Sequence, residues 1–159
     1  MSLNKSPELI TLQSYKGDWK TYVDVIYQIY LNEVVNGKLT FENLPIRCQY
    51  RPATHGKHFG FWHLISEGKT EDDRTPDLRR CERIRWIAYI IKNINLPEIS
   101  YWENKRGNNK HVVLWLEKEN FIVILAKRHD YFLLKTIYVH NNKKTEKLRK
   151  ERDSHYQKG

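Results

Sequence analysis

Residues 110–139 read KHVVLWLEKENFIVILAKRHDYFLLKTIYV, and how this run is parsed decides the fold. It divides into three apolar segments at 110–118, 121–128 and 131–139, rich in the β-branched and aromatic residues that suit a pleated, packed surface. Glu119-Asn120 separates the first two, and His129-Asp130 leads into the third. Links this short cannot carry a parallel crossover, so the three segments form an antiparallel meander. Apolar residues run on with little interruption, which implies that both faces of the sheet are at least partly covered. By strict alternation Phe132, Leu134, Thr136, Tyr138 and His140 share one face of the last segment, with Thr136 beside Tyr138.

Working outward, 99–103 supplies a further strand, followed by the turn-rich residues 103–109. Ahead of it a helix is expected from the cap Asp77 to about Asn93, with the apolar stripe Cys81, Ile84, Ala88 and Ile91. Arg79, Arg83 and Trp86 fall on another line of that helix. Residues 66–76 form a polar loop holding Glu71-Asp72-Asp73, and 58–65 reads as a strand with His58 and His63 on opposite faces. Residues 46–50 read as a short strand between Pro45 and Pro52. From Asp18 to Asn36 the spacing of Val23, Tyr27, Tyr30 and Val34 predicts an amphipathic helix, capped by Asp18 and stopped at Asn36-Gly37.

The expected fold is therefore α+β, with two main helices packed on a four- to five-stranded antiparallel sheet that ends in a β-meander. Residues 1–140 form a single domain with 1–15 loose, and 141–159 form a basic C-terminal helix or tail, seven basic residues against three acidic.

Twenty-eight basic residues against nineteen acidic ones give a net charge of +9. That excess favours a polyanionic partner, RNA or another nucleic acid, and aromatic residues at 13% suit the stacking of bases. The same charge also suits an acidic protein such as an inhibitor. No apolar run is long enough to cross a bilayer and no secretory signal opens the chain, so a cytoplasmic location is expected, with no membrane partner. Cys48 and Cys81 lack metal or redox spacing, and reduced thiols are the default.

His55, His58 and His63 are poorly spaced for zinc, and consecutive loop carboxylates such as Glu71-Asp72-Asp73 are usually solvated, so no metal site and no cofactor are expected. Nucleophile-elbow, phosphate-loop and dinucleotide motifs are absent from the sequence. What remains is metal-independent cleavage of RNA, which needs a base near the 2′-hydroxyl, cations for the phosphorane and an acid for the leaving oxygen. His63 or His58 can serve as base or acid, Arg79, Arg80 and Arg83 can hold a phosphate, and Lys127, Arg128 and Lys135 add charge on the last two strands. Thr136 and Tyr138 can position the substrate. Each also has a plain structural alternative: His63 as a packed core residue, the arginines as partners of Asp77 and Glu82. A non-catalytic nucleic-acid-binding module is the other reading, in which Trp62, Trp86, Tyr101 and Trp102 stack bases and the tail binds phosphates.

Phe61-Trp62-His63-Leu64, then Asp77, Arg80, Arg83-Ile84 and Trp86, and finally Lys135-Thr136-Ile137-Tyr138 resemble the phage- and prophage-encoded members of the barnase–EndoU–colicin–RelE ribonuclease superfamily. The resemblance covers about residues 45–140 in order and architecture. It implies helices on an antiparallel sheet, metal-free cleavage to a 2′,3′-cyclic phosphate, and a part in toxicity or conflict between phage and host. By the same resemblance the histidine before the sheet is His63, with His58 as rival, and the hydroxyl on the final strand is Thr136, with Tyr138 two residues on. Lys127 or Lys110 would be the basic strand residue.

Overall fold

The structure, a computed structural model, describes residues 6–68, 70 and 73–157. It is α+β, with a six-stranded mixed sheet in the order β1-β2-β8-β7-β6-β5. The strands are β1 (Thr40–Phe41), β2 (Leu44–Arg47), β5 (Ile99–Arg106), β6 (Asn109–Leu116), β7 (Phe121–Lys127) and β8 (Phe132–Val139), and a separate small ribbon pairs β3 (Ser66–Glu67) with β4 (Thr75–Pro76). Strands β5 to β8 form the expected antiparallel meander. Strand β2 overlaps the short strand expected at 46–50, β1 is additional to those expected, and one pairing is parallel, Ile46 with Phe132 and Arg47 with Leu133. A purely antiparallel sheet of four or five strands is thus corrected to six strands of mixed direction. The β1–β2 hairpin turns on Glu42 and Asn43, both at positive φ, which matches the twist of a two-residue turn.

Helix α1 (Trp19–Ile29) starts at Asp18, whose carboxylate accepts hydrogen bonds from the Thr21 amide (3.3 Å) and hydroxyl (2.8 Å), and it runs on into a wider π turn at Tyr30–Val35. Residues 58–65, expected as a strand, instead form helix α2 (Phe59–Ile65). This run is apolar at nearly every position, so it satisfies either period. Burial of Phe61, Leu64 and Ile65, three and four apart, is the helical solution. Gly60 allows it: a Cβ there would sit 2.7 Å from the Gln49 carbonyl, which accepts the Gly60 amide at 2.8 Å.

The expected helix 77–93 is broken into α3 (Leu78–Glu82) and α4 (Trp86–Lys92). Amides of Arg83, Ile84 and Trp86 bond three residues back, tightening the chain between the two. On one regular helix positions 84 and 86 would point about 200° apart. The tightened turn buries both Ile84 and Trp86.

One sheet face packs on α1, α2 and α4 through a core that includes Tyr22, Ile26, Phe61, Ile87, Leu114 and Ile137. The opposite face carries Trp102, Val113, Trp115, Ile122 and Ile124. Of the two forms expected for the C-terminal segment, the structure has the helix, α5 (Asn142–Gln157), and it lies on this second face. Glu151 accepts the Trp102 indole N–H at 2.7 Å, Glu117 accepts Arg149 at 2.8 Å and Arg152 at 2.6 Å, and the Arg152 guanidinium lies 5.1 Å from the Trp115 ring centre. Residues 6–15, expected to be loose, are also held: the Ile10 amide donates to Glu82 O, and the Trp86 indole donates to Pro7 O. Cys48 and Cys81 are buried free thiols, and burial pushes them up to about 11 and about 12, which keeps them protonated and unreactive. Among the described residues no helix is long and apolar enough to cross a membrane.

Candidate functional site

The site forms where β2 stops. Beyond Leu133 the edge of β8 is met by α2 and α3 rather than by another strand. At this point the pairing of β7 with β8 jumps from Ile124–Thr136 to Leu125–Leu134, so Lys135 bulges out of the ladder. The bulge also changes which way the strand's side chains point. Phe132 and Leu134 belong to the helix-covered core, whereas Tyr138 packs on the α5 side with Ile122 and Ile124. The single face expected for residues 132 to 140 is therefore split in two at Lys135.

A cleft of about 160 Å³ lies beside the bulge, lined by His63, Glu67, Arg74, Arg80, Lys135, Thr136 and Tyr138. His63 comes from the last turn of α2, Arg80 from α3, and the last three from β8. The His63 ring stacks against Phe59 with centroids 5.8 Å apart. Arg74 donates to His63 O at 2.8 Å and to Ser66 O, and Arg80 donates to Ser66 O at 2.6 Å. These bonds satisfy carbonyls that the end of α2 leaves without helical partners. Arg80 is buried, lies 3.7 Å from Asp77 and 3.9 Å from Glu67, and has its guanidinium 5.3 Å from the Tyr138 ring centre. Lys135 is exposed, and among the described residues no carboxylate forms an ion pair with it. The Thr136 hydroxyl is buried and makes a long contact of 3.4 Å to Ile137 O.

His140 extends this cluster. Its ring centre is 5.4 Å from that of Tyr138, and burial, reinforced by Lys144 and Arg80, pulls its pKa down to about 4. A smaller recess on the other side of Lys135 is lined by Asn104, His111 and Tyr138.

Five of the residues expected at a site, His63, Arg80, Lys135, Thr136 and Tyr138, therefore meet around one cleft. Arg83 does not join them. With the helix broken, its guanidinium packs on Trp86 at 5.2 Å and donates to Arg79 O at 3.0 Å. Arg79 is exposed beside Asp77, at 3.5 Å. His58 is enclosed by Tyr27, Tyr30 and Tyr50, with ring centres 5.7, 5.9 and 4.6 Å away. Lys127 covers Phe132, and Arg128 lines a different groove. Trp86 and Trp102, expected to stack bases, are buried in the two cores. Glu71 and Asp72 lie outside the described residues. Among the described residues no three His, Cys, Asp or Glu side chains gather to hold a metal ion.

Arg74, Glu67, Asn104 and His111 line these clefts without having been singled out by sequence, and His140 adjoins them through the Tyr138 ring. Arg74 sits in a polar loop that reads as solvated, and only the fold shows it reaching α2. No protein-family model matches the chain, nor does a curated protein or a solved structure.

Proposed function

We propose that the chain is a metal-independent ribonuclease-like protein that cuts RNA to a 2′,3′-cyclic phosphate, with its centre in the cleft between α2, α3 and the bulge of β8. The observation that carries this reading is the convergence of His63, Lys135, Arg80 and Tyr138 from three separate elements on one small cleft. The roles follow from chemistry and position. His63 takes the proton of the 2′-hydroxyl or returns one to the leaving 5′-oxygen. Lys135, exposed at the bulge, meets the charge that builds on the phosphorane. Arg80 acts from beneath as a fixed positive charge, anchored by its hydrogen bond to Ser66 O, with Asp77 and Glu67 3.7 and 3.9 Å away. Thr136 and Tyr138 shape the wall against which the sugar and base would rest.

This reading agrees with the resemblance to the barnase–EndoU–colicin–RelE superfamily and with its phage- or mobile-element setting. Arg83, at a distance from the cleft, has no part in it. The competing reading, a binding module that stacks bases on Trp62, Trp86, Tyr101 and Trp102, loses Trp86 and Trp102 to burial and keeps the exposed Tyr101 and the half-buried Trp62. Incubation of total RNA with the pure protein in EDTA separates the two. Discrete fragments from the parent protein, absent with His63→Ala, support cleavage; an RNA shifted on a gel but intact supports the binding module.

A further inference from the structure

A groove of about 820 Å³ lies on the far side of Leu133 from the cleft. That size is in the range of roughly 300–1,000 Å³ typical of ligand sites. Lys38, Arg47 and Arg128 line it, together with Tyr50 and Tyr131, and none of its lining residues is acidic. The Arg47 guanidinium lies 5.2 Å from the centre of the Tyr131 ring, so a cation and an aromatic face are already held together. Among the described residues no carboxylate forms an ion pair with Lys38, Arg47 or Arg128. Tyr50 is 46% exposed, unlike the buried Trp86 and Trp102.

This groove and the cleft are linked by shared wall residues. Gln49 and Leu133 line both it and an intermediate lobe of about 200 Å³, and His63 and Lys135 line both that lobe and the cleft. We infer that the three form one track for single-stranded RNA, with a second subsite at Arg47, Tyr131 and Arg128 that takes a base and its flanking phosphates. The inference rests on the reading of the cleft as the place of cleavage, and adds where the rest of the strand lies. The chemistry is that of a single-strand binder. Cations without acidic partners follow the backbone, and rings beside them stack bases without regard to sequence.

The test is the affinity of a 12-nucleotide single-stranded RNA, read by fluorescence anisotropy with His63→Ala as the parent so that the strand stays intact. Combining Arg47→Ala with Arg128→Ala should weaken binding about 10-fold and lower the slope of log affinity against log salt by about 1.4. Tyr131→Ala alone should weaken it at least about 5-fold. Removing two exposed lysines off the track, Lys20→Ala with Lys92→Ala, should change it less than about twofold. Equal losses from the two double variants would mean that net charge alone is felt, and would overturn the subsite. So would failure of the parent to bind the strand. Cleavage by the protein with His63 intact is scored separately, so that a localised loss of binding without any cleavage leaves the track standing and removes the ribonuclease reading.

Discussion

The Arg80 guanidinium lies 5.3 Å from the centre of the Tyr138 ring while its Nη1 donates to Ser66 O at 2.6 Å, so one buried cation ties α3, the end of α2 and strand β8 together. Removing it takes from Ser66 O one of its two guanidinium donors, leaves Asp77 with only the exposed Arg79 beside it among the described residues, and empties a buried position between the three elements. Arg80→Ala should therefore lower stability by about 2–4 kcal/mol in urea unfolding. Arg80→Lys should recover only part of this, since an ammonium cannot reach the same partners in a planar fork. A loss below about 0.5 kcal/mol for the alanine variant would show that the tie is not made.

Lys135 presents the opposite case. It is exposed at the bulge and packs into neither core. Lys135→Ala should leave stability within about 0.5 kcal/mol and lower the rate of RNA cleavage by about 10²–10³-fold. Lys135→Arg should restore part of the rate. Urea unfolding beside a cleavage assay separates the two effects.

His140 makes stability depend on pH. Its folded-state pKa, pulled down to about 4, lies below the ordinary value of 6.5, so the unfolded chain takes up the proton first. The stabilisation is complete above about pH 6.5 and is lost as pH falls toward about 4. The ring is only half-buried, and with solvent screening the loss should be on the order of 1–2 kcal/mol. His140→Gln should flatten that part of the stability profile, and an unchanged profile would refute the assignment.

Helix α5 should be needed for stability rather than serving as a detachable basic tail. Deleting residues 142–159 uncovers Trp102 and Trp115 and strips Glu117 of both its arginine partners. Each large apolar side chain exposed costs about 1.5–3 kcal/mol. The truncated chain should melt at least about 10 °C lower and bind a hydrophobic dye. Unchanged melting would mean that the helix does not cover this face in solution.

The meander was legible in the sequence because three apolar runs with two short links permit little else. Residues 59–65 were not: when nearly every position is apolar, alternation and helical spacing fit equally well, and the choice fell to the close approach of Gly60 to Gln49. The parallel pairing of β2 with β8 joins residues some 85 positions apart, which local pattern cannot show. The bulge at Lys135 carries no glycine or proline to announce it, yet it decides which side chains of β8 share a face. The candidate cleft was visible in its components, His63, Arg80, Lys135, Thr136 and Tyr138, because those residue types suit phosphate chemistry. Arg83 was misplaced by the assumption of one continuous helix from 77 to 93. Arg74 was missed since its reach to His63 O depends wholly on tertiary structure.

In the proposed reaction His63 and Lys135 cut RNA at the bulge of β8 by using the strand's own 2′-hydroxyl. The most direct test is mass spectrometry of the products from one defined single-stranded RNA and its all-deoxy counterpart, both incubated in EDTA. The expected products are 5′ fragments of the RNA ending in a 2′,3′-cyclic phosphate, with none from the deoxy strand and none with His63→Ala. Cleavage of the deoxy strand, or RNA products with a plain 3′-hydroxyl, would contradict it.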